Sequence, residues 1–256
     1  MAKYALTISR QDLVDLNRIQ QLPNLTGMML ADAPEGFLRC LTQLEDRAAC
    51  ETDPSRLQLI PYIVVRREDT GQILSYARGT GGAEARLHGK LSIGIGGHVD
   101  TELPASEHDE DRSDVLLTHI TDHAERETVE ELGVKFYSDE ADDELEVRRL
   151  DNNPYWTGML IYDDTKEEGT VHLGLLYGLD IPDPSYLGQT EAGVIESVAW
   201  NSLEELMVPP LFERMENWSK TVIESLYIAE HEENEDAEDD SGDEGDEGEG
   251  FEVSGD

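Results

Sequence analysis

Residues 126–134 read RETVEELGV, and they carry the chain's most specific chemistry. On a helix, Glu127, Glu130 and Glu131 fall at i, i+3 and i+4, so their carboxylates converge on one face. Carboxylates this close repel unless something positive sits among them. A hard divalent cation answers that need, because Mg²⁺ takes oxygen ligands and keeps waters and substrate phosphates in its other positions. Such a metal can activate a water and offset charge on a phosphoryl group. Arg126 can brace one carboxylate through a charge-assisted hydrogen bond. In an acidic chain the cluster alone equally describes a solvated helix face. Its setting changes the balance: a glycine turn, GIGGHVD over residues 94–100, precedes it, and Gly133-Val134 closes it.

Three titratable side chains, Arg86, His88 and Lys90, lie just before that turn, within RLHGKLSIGIGGH. In a chain with few cations, Arg86 and Lys90 beside an acidic site suggest contacts to a diphosphate. A surface pair balancing local carboxylates is the competing explanation. His98 follows the two glycines and either faces the site or serves the structure.

These segments resemble the Nudix (MutT-type) hydrolases, whose signature is G-x5-E-x7-R-E-U-x-E-E-x-G-U with U aliphatic. RETVEELGV matches the second half, with Thr128 at the first U, and residues 96–100 resemble the opening GG-x-U-E, with Asp100 for Glu. The gap from Gly97 to Arg126 is about fifteen residues longer than in the minimal motif. An inserted acidic loop over about 100–114 accounts for it. The HGKxSIGIGGH-like run is similar to a subgroup of that family. The resemblance spans roughly residues 56–208.

It implies an α+β fold, an α/β/α sandwich around a mixed central sheet. It implies Mg²⁺ or Mn²⁺ held by Glu127, Glu130, Glu131 and the Gly96 carbonyl, with Glu127 as ligand or base for the attacking water and Arg126 bracing it. The residues beside the acidic site suggest substrate contacts from Arg86, Lys90, Gly97 and His98, and the resemblance implies a further carboxylate, for which Glu191 and Glu196 are the candidates. One departure is Thr118, where the family has its first Glu, which implies reduced or altered metal binding; Glu110, Asp111 or Asp114 of the insertion could substitute. Another is His123, where a small residue is usual.

The implied activity is cleavage of a diphosphate bond in a nucleoside diphosphate linked to a moiety X. The alternative is a catalytically weak Nudix-fold module that binds a nucleotide or regulates. A diphosphate isomerase on a related fold would need an active-site Cys, and Cys40 and Cys50 precede the first core strand without a suitable motif. The expected partner is a small nucleotide-type diphosphate, with a capped RNA end as the exceptional nucleic acid; the resemblance makes a homodimer one candidate assembly and leaves the oligomeric state open.

Composition narrows the classes. The 256 residues suffice for one large domain or two small ones. With 58 Asp and Glu against 19 Lys and Arg, the formal charge is -39, which disfavours binding to phosphate backbones. Residues 230–256 hold fifteen acidic side chains and no Lys or Arg, so a disordered tail is expected there. The body is acidic too, with five Lys against fourteen Arg. That pattern resembles proteins of salt-in halophiles or their viruses. No apolar run approaches a membrane span and no secretory h-region is visible, so a cytoplasmic setting with two reduced thiols is expected.

Apolar spacing predicts a helix over 10–22 and a short one over 37–44. Residues 57–67 and 73–79 read as a hairpin around the turn EDTGQ. A helix over 114–134 ends near Gly133. Strand-like runs follow at VKFYS, ELEVRRL, WTGMLIYDD, TVHLGLLYGLDI and GVIESVAW, then SLEELM and LFERMENWSKTVIESLYIAE as helices. The expected division is an N-terminal extension over 1–55, the main domain over 56–229 and the tail over 230–256.

Overall fold

The computed structural model describes residues 4–20, 28–44, 46–81, 85–100, 112–136, 150–166 and 168–240. Its strands are β1 (Ala5–Ser9), β2 (Met28–Asp32), β3 (Leu41–Leu44), β4 (Arg56–Arg67), β5 (Ile73–Arg78), β6 (Leu91–Ser92), β7 (Gly94–Ile95), β8 (Tyr155–Asp163), β9 (His172–Ile181) and β10 (Ile195–Asn201). Its helices are α1 (Arg10–Gln20), α2 (Arg47–Cys50), α3 (Arg112–Leu132), α4 (Leu203–Met207), α5 (Pro209–Phe212) and α6 (Asn217–Asp240).

The sheet is organised by β4, whose near-continuous apolar sequence suits a strand covered on both faces. It runs parallel to β9 and antiparallel to β1, β5 and β7. The long path of the sheet is β10-β5-β4-β9-β8-β2. Alternation along β4 sorts its side chains between two layers. Leu57, Leu59, Ile63 and Val65 pack with Leu116, Ile120, Ala124 and Leu132 of α3. Tyr62 and Val64 pack on the other face with Leu206 of α4 and Val222 and Ile223 of α6. Each fully buried Leu or Ile on α3 contributes about 1.5–3 kcal/mol, enough to seat that helix firmly. The result is the expected α/β/α sandwich with a mixed sheet.

Residues before β4 join this sheet rather than standing apart from it. β1 pairs with both β3 and β4, and β2 pairs with β8 at the far edge. The short helix expected over 37–44 is corrected: Phe37–Cys40 forms one 3₁₀ turn and Leu41–Leu44 is a strand, with Leu41 opposite Ile8. Helical spacing over eight residues could not reveal that a strand upstream would claim the second half. The C-terminal helix also continues to Asp240, into the segment expected to be disordered. Glu and Ala are good helix formers, and extending an anchored helix avoids the cost of nucleation.

The central part of the acidic insertion, with Glu110 and Asp111, lies outside the described residues, as do ELEVRRL before Leu150 and VKFYS beyond Phe136. Phe136 and Leu150 form an isolated bridge. Cys40 and Cys50 are free thiols. Among the described residues no helix is long and apolar enough to cross a membrane.

Candidate active site

The carboxylate helix α3 is held at both its side and its end. Thr128, at the position where an aliphatic residue resembles the family better, is fully buried, and its hydroxyl donates to the Ala124 carbonyl at 2.8 Å. A satisfied hydroxyl costs little there. Gly133 terminates the helix with φ +64°, a conformation that favours glycine. The next loop then returns to the helix end: Gly188 N–H donates to the Leu132 carbonyl and Glu191 N–H to the Glu131 carbonyl, both at 2.9 Å. That docking carries Glu191 to the site.

Facing α3 is the glycine turn, and close approach explains its composition. A Cβ on Gly94 would enter the Tyr62 ring, and one on Gly96 would meet the Pro61 carbonyl. On Gly97 it would lie 2.8 Å from the Glu127 carboxylate. Glu127 is oriented from its other side by Arg126 Nη2 at 3.0 Å and His123 Nε2 at 3.2 Å. His123, which stands where the family has a small residue, is thus a buried partner of the carboxylate.

Glu131 lies one turn further on. Burial raises its carboxyl from the ordinary value to about 8; Arg78 acts against this, while Glu127, Glu191 and Glu130 add to it. Arg78, at the end of β5, lies between Glu131 and a second buried acid, Glu216, whose Oε2 is 3.4 Å from Arg78 Nε. Glu216 also accepts hydrogen bonds from Tyr62 at 2.9 Å and Ser92 at 2.5 Å. Burial opposes the charge on Arg78, yet Glu216 holds its pKa above the ordinary arginine range. The LSIG segment is therefore structural, while Lys90 before it and Gly96 and Gly97 after it line the site.

These groups border a cavity of about 650 Å³. Its lining includes the acids Glu127, Glu131 and Glu191 and the cations Arg78, Arg86 and Lys90. A third cluster borders the same space. His98 Nε2 and His172 Nε2 are 2.9 Å apart, with ring centroids at 4.9 Å. Glu51 oxygens lie 3.6 Å from His98 Nε2 and 3.9 Å from His172 Nε2. Arg47 contacts His98 Nδ1 at 2.6 Å and Asp100 at 2.8 Å. Glu51, His98 and His172 are close enough together to hold one metal ion.

Of the residues expected from the sequence, Glu127, Glu131, Gly96, Gly97, His98, Arg86, Lys90 and Glu191 come together around the cavity. Glu130 is exposed and stands outside the lining, as does Glu196 on β10. Arg126 is half exposed and reaches the site through Glu127. Thr118 is exposed on α3, and so is Asp114 in its first turn. Sequence reasoning missed Arg78, Glu216, Glu51 and His172. Only the closing Arg of ILSYARG gave a local signal, a lone cation ending an apolar strand before the glycines.

No family model matches the chain. Protein YmaB of Bacillus subtilis (strain 168) is 34% identical over 182 residues, which cover 70% of this chain and 76% of YmaB. The crystal structure of Tm1382, described as a candidate Nudix hydrolase, superposes with a TM-score of 0.58 at 24% identity, over 87% of this chain and 97% of Tm1382. The likeness to Tm1382 is one of fold.

Proposed function

We propose that this chain, which belongs to the same protein family as Bacillus subtilis Protein YmaB and has the Nudix fold, hydrolyses a diphosphate bond in a nucleoside diphosphate linked to a moiety X. One observation carries the reading: Glu127 and Glu131, a turn apart on the RETVEELGV helix, share a cavity with Arg78, Arg86 and Lys90. The description of Tm1382 points the same way.

The donor set suits a divalent cation. Glu131 is raised to about 8 by burial amid neighbouring carboxylates, a tension that a cation would relieve. Glu127, Glu131 and the Gly96 carbonyl would hold it, with Glu191 as a further carboxylate and Glu130 acting from the outer side. Mg²⁺ or Mn²⁺ bound there would polarise a water and offset phosphoryl charge.

The chain's own residues supply the rest. Glu127, fixed by Arg126, His123 and the bare Gly97 backbone, accepts a proton from the attacking water at a carboxylate oxygen. Arg78, Arg86 and Lys90 bind the diphosphate oxygens and set which phosphorus faces that water. Thr118 is exposed and outside the cavity, so its departure from the family pattern leaves the Glu127–Glu131 pair intact.

The test is phosphate release in Mg²⁺ or Mn²⁺ and high KCl, over nucleoside triphosphates, ADP-ribose, dinucleoside polyphosphates, NADH and capped RNA. Turnover of one class is expected, abolished in Glu127→Gln and Glu131→Gln and reduced less in Glu130→Gln. A folded protein with no turnover on the whole panel transfers the case to the nucleotide-binding module.

A further inference from the structure

We propose that Glu51, His98 and His172 form a second cation site, selective for Zn²⁺, beside the all-oxygen site. Three separate segments supply it: the residue that follows α2, the residue after the glycine pair and the first residue of β9. The two ring Nε2 atoms are 2.9 Å apart, one Glu51 oxygen lies 3.6 Å from His98 Nε2 and the other lies 3.9 Å from His172 Nε2. A tetrahedral zinc with bonds of 2.0–2.1 Å has ligand-to-ligand edges of roughly 3.3 Å, so these spacings need only small adjustments. Two imidazoles and a carboxylate are the donors zinc accepts readily, whereas Mg²⁺ prefers oxygen alone. The fourth position would open on the cavity, the arrangement of a zinc that receives water or a ligand oxygen rather than one that only staples a fold.

The competing arrangement is a plain hydrogen bond between the two rings, and Arg47 makes it specific. A guanidinium can only donate, so its 2.6 Å contact makes His98 Nδ1 the acceptor. In that tautomer His98 carries its proton on Nε2, in the gap facing His172. Zinc binding requires that Nε2 be bare. The proton then resides on Nδ1 and Arg47 gives up that contact, keeping its 2.8 Å bond to Asp100. The exchange is a change of tautomer, with no net proton released and no charge altered on His98. His172 is buried on β9, and Gln58 lies 3.5 Å from its Nε2, so this ring is placed by the sheet.

The site is independent of whether the protein hydrolyses diphosphates, because zinc can be counted directly. The full chain is stripped with chelator, returned to excess Mg²⁺ and titrated with Zn²⁺ by calorimetry. The same titration with Co²⁺ is followed by visible absorption. We expect one equivalent of zinc with a low-coordinate cobalt spectrum. Binding should weaken more than about 100-fold in His98→Gln and His172→Gln, beyond the loss typical for an outer partner of a ligand. Glu51 is 41% exposed at its side chain, so Glu51→Gln keeps the fold and should still weaken zinc by at least about tenfold. Glu127→Gln should leave the equivalent in place. Absence of a tight equivalent in the parent overturns the proposal. So does zinc retained equally by the His98 and Glu51 variants, which would assign it to the chain's many other acids.

Discussion

The Glu127 carboxylate fills the space that a side chain on Gly97 would need, 2.8 Å from the position of its Cβ. Turn and helix are thus fitted to each other across the site. Gly97→Ala should displace the carboxylate by a fraction of an ångström to an ångström. Turnover should fall about 100-fold, because misplacement of that size is costly to an oriented reaction. The melting temperature should change little, since a flexible side chain can yield. Parent-like turnover in this variant would mean that Glu127 need not stand where it does.

Glu131 links stability to pH in the metal-free protein. Its folded pKa is about 8 against an ordinary 4.5, so between those values the folded state binds more protons than the unfolded one. Stability should therefore fall as pH rises from about 4.5 to about 8 and level off above. Denaturant melts in chelator, parent against Glu131→Gln, isolate the effect: the variant should lose this part of the slope. Adding Mg²⁺ should flatten the parent curve as well. Identical slopes in parent and variant would count against a buried, protonated Glu131.

Arg78 and Glu216 should behave as a unit. Glu216 is 7% exposed at its side chain, so Arg78→Met leaves a carboxylate buried without its cation. The expected cost is about 3 kcal/mol, read from the urea midpoint. Adding Glu216→Leu should restore much of it, because removing both charges is cheaper than stranding one. A fully additive double variant would show that the two residues are not coupled.

The charge of -39 predicts a salt response. Carboxylate repulsion destabilises the compact state, and screening lifts it. The melting temperature should rise steadily from low salt to molar KCl, and circular dichroism at low salt should show partial unfolding. A melting temperature indifferent to KCl removes the argument for a salt-rich setting.

Local patterns predicted what local forces decide. The β4–β5 hairpin followed from two β-rich runs around the turn EDTGQ, and α3 from its spacing and terminal Gly133; the observed bounds differ by only a few residues. The glycine turn and the carboxylates of α3 were legible because their spacing is specific. Glu130 and Glu196 were not separable from their neighbours, since which side of a helix or edge strand meets a cavity depends on what packs behind it. β1 and β3 went unread because each needs the other, and β4, to be a strand. His172 sits in an apolar run and Glu51 just after a four-residue helix; their meeting with His98 depends on chain paths that no local pattern encodes.

The parallel pairing of β4 with β9 also sets a timetable for the chain. Gln58 lies opposite His172, 114 residues later in sequence, while the β4–β5 hairpin closes over a handful of residues. Long-range parallel contacts carry the larger closure entropy and form late. In a refolding pulse of hydrogen exchange, amides of β4 facing β5 should gain protection before those facing β9. The strand bearing Arg78 would then take shape early, and the ring of His172 would arrive later. A ribosome-bound chain still short of β9 would hold half a pocket, and its competence would begin only when that strand docks.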